Sequence, residues 1–143
     1  MIYTILTKKA LKLCFEAHKD QIDKSNMPYV FHPFHLAEQM NDENTVICAL
    51  LHDVVEDTEY TFDDLSNMGF SQEVIEALKL LTHDADVPYM EYVKKLAKNK
   101  IAKAVKIADL THNSDLTRLD EITEYALSRN VKYQEALEYL KNN

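Results

Sequence analysis

The chain has 143 residues, 46% of them hydrophobic, with 16 basic and 24 acidic side chains and a formal charge of −8. That length fits one domain with a real core, and the acidic balance opposes binding to phosphate backbones, so nucleic acid is excluded as a partner. One glycine and three prolines leave little material for tight hairpins, which favours an all-α single domain over residues 1–143 with short polar connections.

A small phosphorylated ligand remains admissible, because a local metal or lysine outweighs a global field. No stretch approaches the roughly 20 apolar residues that span a bilayer, and Met1–Leu6 shows no basic leader. The expectation is a cytoplasmic protein with no membrane partner. Cys14 and Cys48 fall in apolar helical patterns and read as reduced core thiols, since no CxxC spacing exists.

The first long helix is expected from Thr7, as N-cap, to about Asp20, with Ala10, Leu11, Cys14, Phe15, Ala17 and His18 on its stripe. Gln21 to Phe31 reads as a loop. His32-Pro33 then opens a helix, with proline at its first position and His32 near the N-cap. Asn41 to Asn44 is a polar break. A central helix follows, apolar from Val46 to Leu51 and ending near Thr58.

Thr61 to Asp64 resembles a capping box. The short helix it opens stops at Gly69. Ser71 caps the next helix, which buries Val74, Ile75, Leu78 and Leu81. Pro88 starts another helix, with Lys94, Lys95 and Lys98 on a solvated face. Lys100 to about Thr111 buries Ile101, Ala104, Val105 and Ala108 and delivers Asp109, His112 and Asn113. Asp120 to about Lys141 forms one or two helices, with Ile122, Tyr125, Ala126, Val131, Ala136, Leu137 and Leu140 inward.

The chemistry concentrates at His52-Asp53 and Glu56-Asp57, at the end of the central helix. Helical spacing sets His52 above Glu56 and Asp53 above Asp57. Three carboxylates at a helix C-terminus oppose the macrodipole and call for a compensating cation. Imidazoles and carboxylates hold divalent transition metals in hydrolases, with positions open for water and substrate. His52 and Asp53 need further ligands, and His32 and Asp109 are the candidates, each at the break of a helical pattern. Glu56 and Asp57 then orient a water, shuttle a proton or fix a ligand histidine. His18, His35, His83 and His112 read as packing or surface histidines.

Pro28-Tyr29-Val30-Phe31-His32-Pro33, Ala49-Leu50-Leu51-His52-Asp53-Val54-Val55-Glu56-Asp57-Thr58 and Lys106-Ile107-Ala108-Asp109-Leu110-Thr111-His112-Asn113 together resemble the H…HD…D signature of the HD-domain metal-dependent phosphohydrolases. The HD pair followed by the ED pair resembles one branch most, the (p)ppGpp hydrolase domain of the RelA/SpoT family. The resemblance runs over roughly residues 8 to 119. It implies an HD-type helical bundle of the small stand-alone type, acting on a small-molecule nucleotide by removing its 3′-pyrophosphate. It implies one Mn²⁺, or another divalent transition metal, on His32, His52, Asp53 and Asp109, with Glu56 and Asp57 catalytic. It also implies nucleotide contacts from Lys24, Ser25, Asn113 and Tyr133.

Two positions depart from the family pattern. Asp23 stands where a basic residue packs near the guanine, and Leu110 where a cation follows the third-motif aspartate. A carboxylate supplies no cation–π contact but accepts hydrogen bonds from a base edge. These departures motivate a second reading, a phosphohydrolase of another nucleotide or phosphorylated cofactor. A third reading is a metal-retaining binding or regulatory module.

Overall fold

A computed structural model describes all residues, Met1–Asn143. It is all-helical: α1 (Ile5–His18), α2 (Phe31–Glu38), α3 (Glu43–Leu51), α4 (Val54–Asp57), α5 (Phe62–Asn67), α6 (Gln72–Leu81), α7 (Tyr89–Leu96), α8 (Lys100–Asn113) and α9 (Glu124–Asn142), with a 3₁₀ turn at Leu116–Arg118. The nearest approach to a strand is a single β-bridge between Ile22 and Pro28. No helix is long and apolar enough to cross a membrane.

The core is built around α3. Every residue from Thr45 to Leu51 is buried, so this helix is apolar on all sides and must be enclosed. Helices α1, α2, α6 and α8 surround it. Its C-terminal end is therefore fixed by the whole bundle, and that end carries His52. Both cysteines are buried free thiols.

Several boundaries follow local chemistry as expected. Thr61 and Asp64 form the reciprocal capping box of α5, Ser71 caps α6, and Pro88 immediately precedes α7. Gly69 ends the α5 segment with φ +98, a left-handed conformation that strains any Cβ. Space is open around it, so strain alone sets the cost of substitution. Gly69→Ala is expected to destabilise by about 1 kcal/mol, read by urea unfolding.

Other boundaries are corrected. Thr4, not Thr7, caps α1, because Thr7 sits at the third helical position and completes a capping box with Thr4. Phe15, at 55% exposure, leaves the buried stripe. Pro33 is the third residue of α2 rather than the first. The central helix does not run on to Thr58. It breaks after Leu51, Asp53 adopts φ −106 and ψ 0, and α4 begins afresh at Val54. The last segment is one helix preceded by a 3₁₀ turn. Ile122, Tyr125 and Val131 are exposed at 54%, 69% and 70%. Helix α9 packs outside α7 and α8, so only the face carrying Ala126, Ala136, Leu137 and Leu140 is covered.

Candidate active site

His52 caps α3 and turns back on its own helix, its Nδ1 lying 2.7 Å from the Ala49 carbonyl. A carbonyl only accepts, so Nδ1 carries the proton and Nε2 is left with a lone pair. That buried Nε2 makes no hydrogen bond, although Asp53 Oδ2 lies 3.1 Å away and Asp109 Oδ1 3.6 Å away. Burial, the largest influence, opposes a charge on the ring. The two carboxylates outweigh it and hold the imidazole well above its ordinary pKa. A lone pair facing two carboxylates needs a proton or a cation between them.

His32, on the first turn of α2, closes the cluster from the other side. Its Nε2 lies 2.9 Å from Asp109 Oδ1 and its Nδ1 2.7 Å from His112 Nδ1. The two rings stack at 5.0 Å, inclined by 8°. In one tautomer His32 donates from Nδ1 to His112 and presents a free Nε2 to the cluster, which is the form a metal ligand takes. His112 suits the acceptor role: burial, then Arg118 and His32, push it down to about 4, so its ring is neutral.

Asp109 is the hub. It stands on α8 with Lys106 one turn before it and Asn113 one turn after, the spacing that puts all three on one face. Lys106 Nζ donates to Oδ2 at 3.0 Å, and Asn113 Nδ2 to Oδ1 at 3.0 Å. Burial raises the Asp109 carboxyl, but Lys106 and then the two histidines outweigh it and hold it well below the usual range. Burial likewise opposes the Lys106 ammonium, and Asp109, Tyr92 and Tyr89 overcome it.

Ligand atoms of His32, His52 and Asp109 all lie within 4.8 Å of one another, and all three residues are buried. Two imidazoles, one of them with the orphaned nitrogen, and a carboxylate form a donor set suited to a divalent transition metal. Asp53 stands beside this triad, its Oδ2 receiving a hydrogen bond from Tyr29 Oη. Burial opposes its ionisation, but His52 outweighs it and draws its pKa down to about 2.

The cluster opens on a cleft of two lobes. The larger, about 640 Å³, is lined by His32, Asp53, Asp57, Lys24, Ser25 and Arg118, among others. The smaller, about 290 Å³, is lined by His52, Asp53, Glu56, Lys106, Asp109 and Lys132, among others. Asp53, Asn113 and Tyr133 border both. Glu56 and Asp57 thus face different lobes, as consecutive residues about 100° apart on a helix do. His52 and Glu56 share the smaller lobe and Asp53 and Asp57 the larger, the pairing that helical spacing implies. Glu56 Oε1 accepts the His83 N–H at 2.8 Å, leaving Oε2 free. Burial, the largest influence, raises both carboxyls, and Asp53 adds to it in each case.

The expected nucleotide contacts fall together. Lys24, Ser25, Asn113 and Tyr133 all line the larger lobe, and Asn113 is also tied to Asp109. Leu110 is fully buried in the core, so its apolar side chain takes nothing from the cleft. Asp23 is not free to read a base edge. Its Oδ1 accepts the Ser25 and Met27 N–H groups, and its Oδ2 pairs with Arg118. Sequence reasoning missed Tyr29, Lys106, Arg118, Arg129, Lys132 and the inward role of His112. Only Lys106 left a local signal, its helical spacing from Asp109.

No family model matches the chain. Among curated relatives, the MESH1 protein of Xenopus tropicalis, named as a guanosine-3′,5′-bis(diphosphate) 3′-pyrophosphohydrolase, is 33% identical over 127 residues, covering 79% of this chain and 70% of that protein. Its counterpart in Danio rerio is 30% identical over 129 residues, covering 80% and 71%. The bifunctional (p)ppGpp synthase/hydrolase SpoT of Escherichia coli K12 is 32% identical over 121 residues, 74% of this chain but 17% of that longer protein. A solved structure of a metazoan SpoT orthologue superposes with a TM-score of 0.79 at 24% identity, covering 98% of this chain and 87% of that one. That match is one of fold. The MESH1 matches run over most of both sequences, and the chain belongs to the MESH1 family of guanosine-3′,5′-bis(diphosphate) 3′-pyrophosphohydrolases.

Proposed function

We propose that this chain is a Mn²⁺-dependent phosphohydrolase that removes pyrophosphate from the 3′ position of (p)ppGpp, releasing GDP or GTP. The observation that carries the reading is the buried His32–His52–Asp109 triad, with an unpartnered His52 Nε2, opening on a cleft whose smaller lobe holds Glu56. These residues would hold the metal, with Asp53, oriented by the Tyr29 hydroxyl, as fourth ligand. A divalent cation there supplies Lewis acidity toward a phosphoryl oxygen and lowers the pKa of a nearby water.

The protein side chains do the rest. Glu56 takes the proton of the attacking water on Oε2, while the His83 N–H holds Oε1 in place. Asp57 orients the water from the larger lobe. Lys132, which has no ion-pair partner, receives the pyrophosphate in the smaller lobe. The two departures that motivated another substrate do not favour one, since Leu110 is in the core and Asp23 is neutralised by Arg118.

The test is chelator-stripped protein incubated with ppGpp, with and without Mn²⁺. Metal-dependent formation of GDP and pyrophosphate is expected. Absence of product with the metal demonstrably bound overturns the reading. Mn²⁺ at about a hundred times its Kd is expected to stabilise the fold by about 2.7 kcal/mol. Tyr29→Phe removes the hydrogen bond that orients Asp53 and is expected to lower metal affinity about tenfold, read by metal titration.

A further inference from the structure

Three cations line the larger lobe, and they are not equivalent. Lys24 and Arg129 form no ion pair and both approach the Tyr125 ring, at 5.9 and 5.2 Å. Arg118 is different. One terminal nitrogen donates to Asp23 Oδ2 at 3.1 Å, and the other to the His112 carbonyl at 2.9 Å. Asp23 is itself locked by two backbone N–H groups of its own loop, at 2.8 and 3.1 Å. The guanidinium is thus held from two walls, and its charge is already met by a carboxylate.

A neutralised guanidinium is a poor partner for phosphate. It keeps a flat face and three of its five N–H donors, which suit a planar, uncharged, hydrogen-bonding group. The larger lobe, about 640 Å³, has room for a nucleoside. Phosphates then fall to the unpaired Lys24 and Arg129. We propose that Arg118, positioned by Asp23, is the residue that receives the nucleobase and so sets base specificity.

This inference rests on the nucleotide reading above, and calorimetric titration tests it separately from turnover. Metal-loaded protein is titrated with GDP and with inorganic pyrophosphate. Arg118→Ala is expected to weaken GDP tenfold or more while changing pyrophosphate less than twofold. Arg118→Lys is expected to weaken GDP as much as alanine, because a lysine has no plane to offer. Unchanged GDP affinity, equal loss of both ligands, or no GDP binding to the wild type overturns the proposal. Should Arg118→Ala fail to fold, Asp23→Asn keeps the guanidinium but removes its counter-charge. Pyrophosphate is then expected to tighten relative to GDP, and an unchanged ratio overturns the proposal. Loss of GDP binding in Arg118→Ala, beside a wild type that leaves ppGpp intact, sinks the alarmone reading and supports the base contact.

Discussion

Asp109→Ala is expected to abolish turnover and to destabilise the fold by about 3–5 kcal/mol. The carboxylate is 8% exposed and its partner Lys106 is 14% exposed. Removing it leaves an ammonium in a low-dielectric pocket among Tyr89 and Tyr92, at 5.9 and 5.3 Å from their rings. It also strips Asn113 of its acceptor and leaves His32 Nε2 without its neighbour. An uncompensated buried charge costs far more than the pair contributes, so a second change separates the two effects. Asp109→Ala with Lys106→Met is expected to recover most of the lost stability, read by urea unfolding, and none of the activity. Activity in either variant contradicts a metal site centred on Asp109. Unchanged stability in the single variant contradicts the buried pair.

Glu56→Gln is expected to lower kcat by a factor of about 10²–10⁴ while leaving the unfolding midpoint and metal affinity near those of the wild type. Glu56 is exposed on the cleft wall and does not support the core. Glutamine preserves the acceptor for the His83 N–H but cannot take a proton. The pH dependence carries the same signature. A general base works only when ionised, and partial burial raises the Glu56 carboxyl above its ordinary value of 4.5. Activity therefore falls as pH drops through that raised value, and the acid limb lies above the pH at which a free glutamate titrates. In Glu56→Gln the residual activity is expected to lack this limb. A limb that persists assigns it to another group and removes Glu56 as the base.

Much of the fold was legible because its signals are local. Capping at Thr61 and Ser71, the stop at Gly69 and the apolar run of α3 each depend on neighbours within a turn or two, and all four hold. The failures also have local causes. Thr7 precedes an apolar stripe as a cap does, but Thr4 takes that role and Thr7 completes its capping box from the third helical position. Helical periodicity through His52 to Asp57 hid the break at Asp53, because side-chain spacing does not register a backbone that leaves the helix for one residue. Val131 looked inward on hydrophobicity alone, but an outer helix has only one covered face.

The site divides along the same line. By itself, the sequence determined the residue types that hold charge and protons: His52 and Asp53 at a helix end, the acid pair beyond them, and Asp109 and Asn113 on one face of α8. Helical spacing fixes such relations without reference to the rest of the chain. Only the tertiary structure decided what those groups meet. His32 reaches Asp109 across 77 residues, His112 meets His32 across 80, and Arg118 pairs with Asp23 across 95. Nothing local encodes these meetings. They exist because α3 must be enclosed on every side, and the bundle that encloses it brings the ends of α2, α3 and α8 to one point.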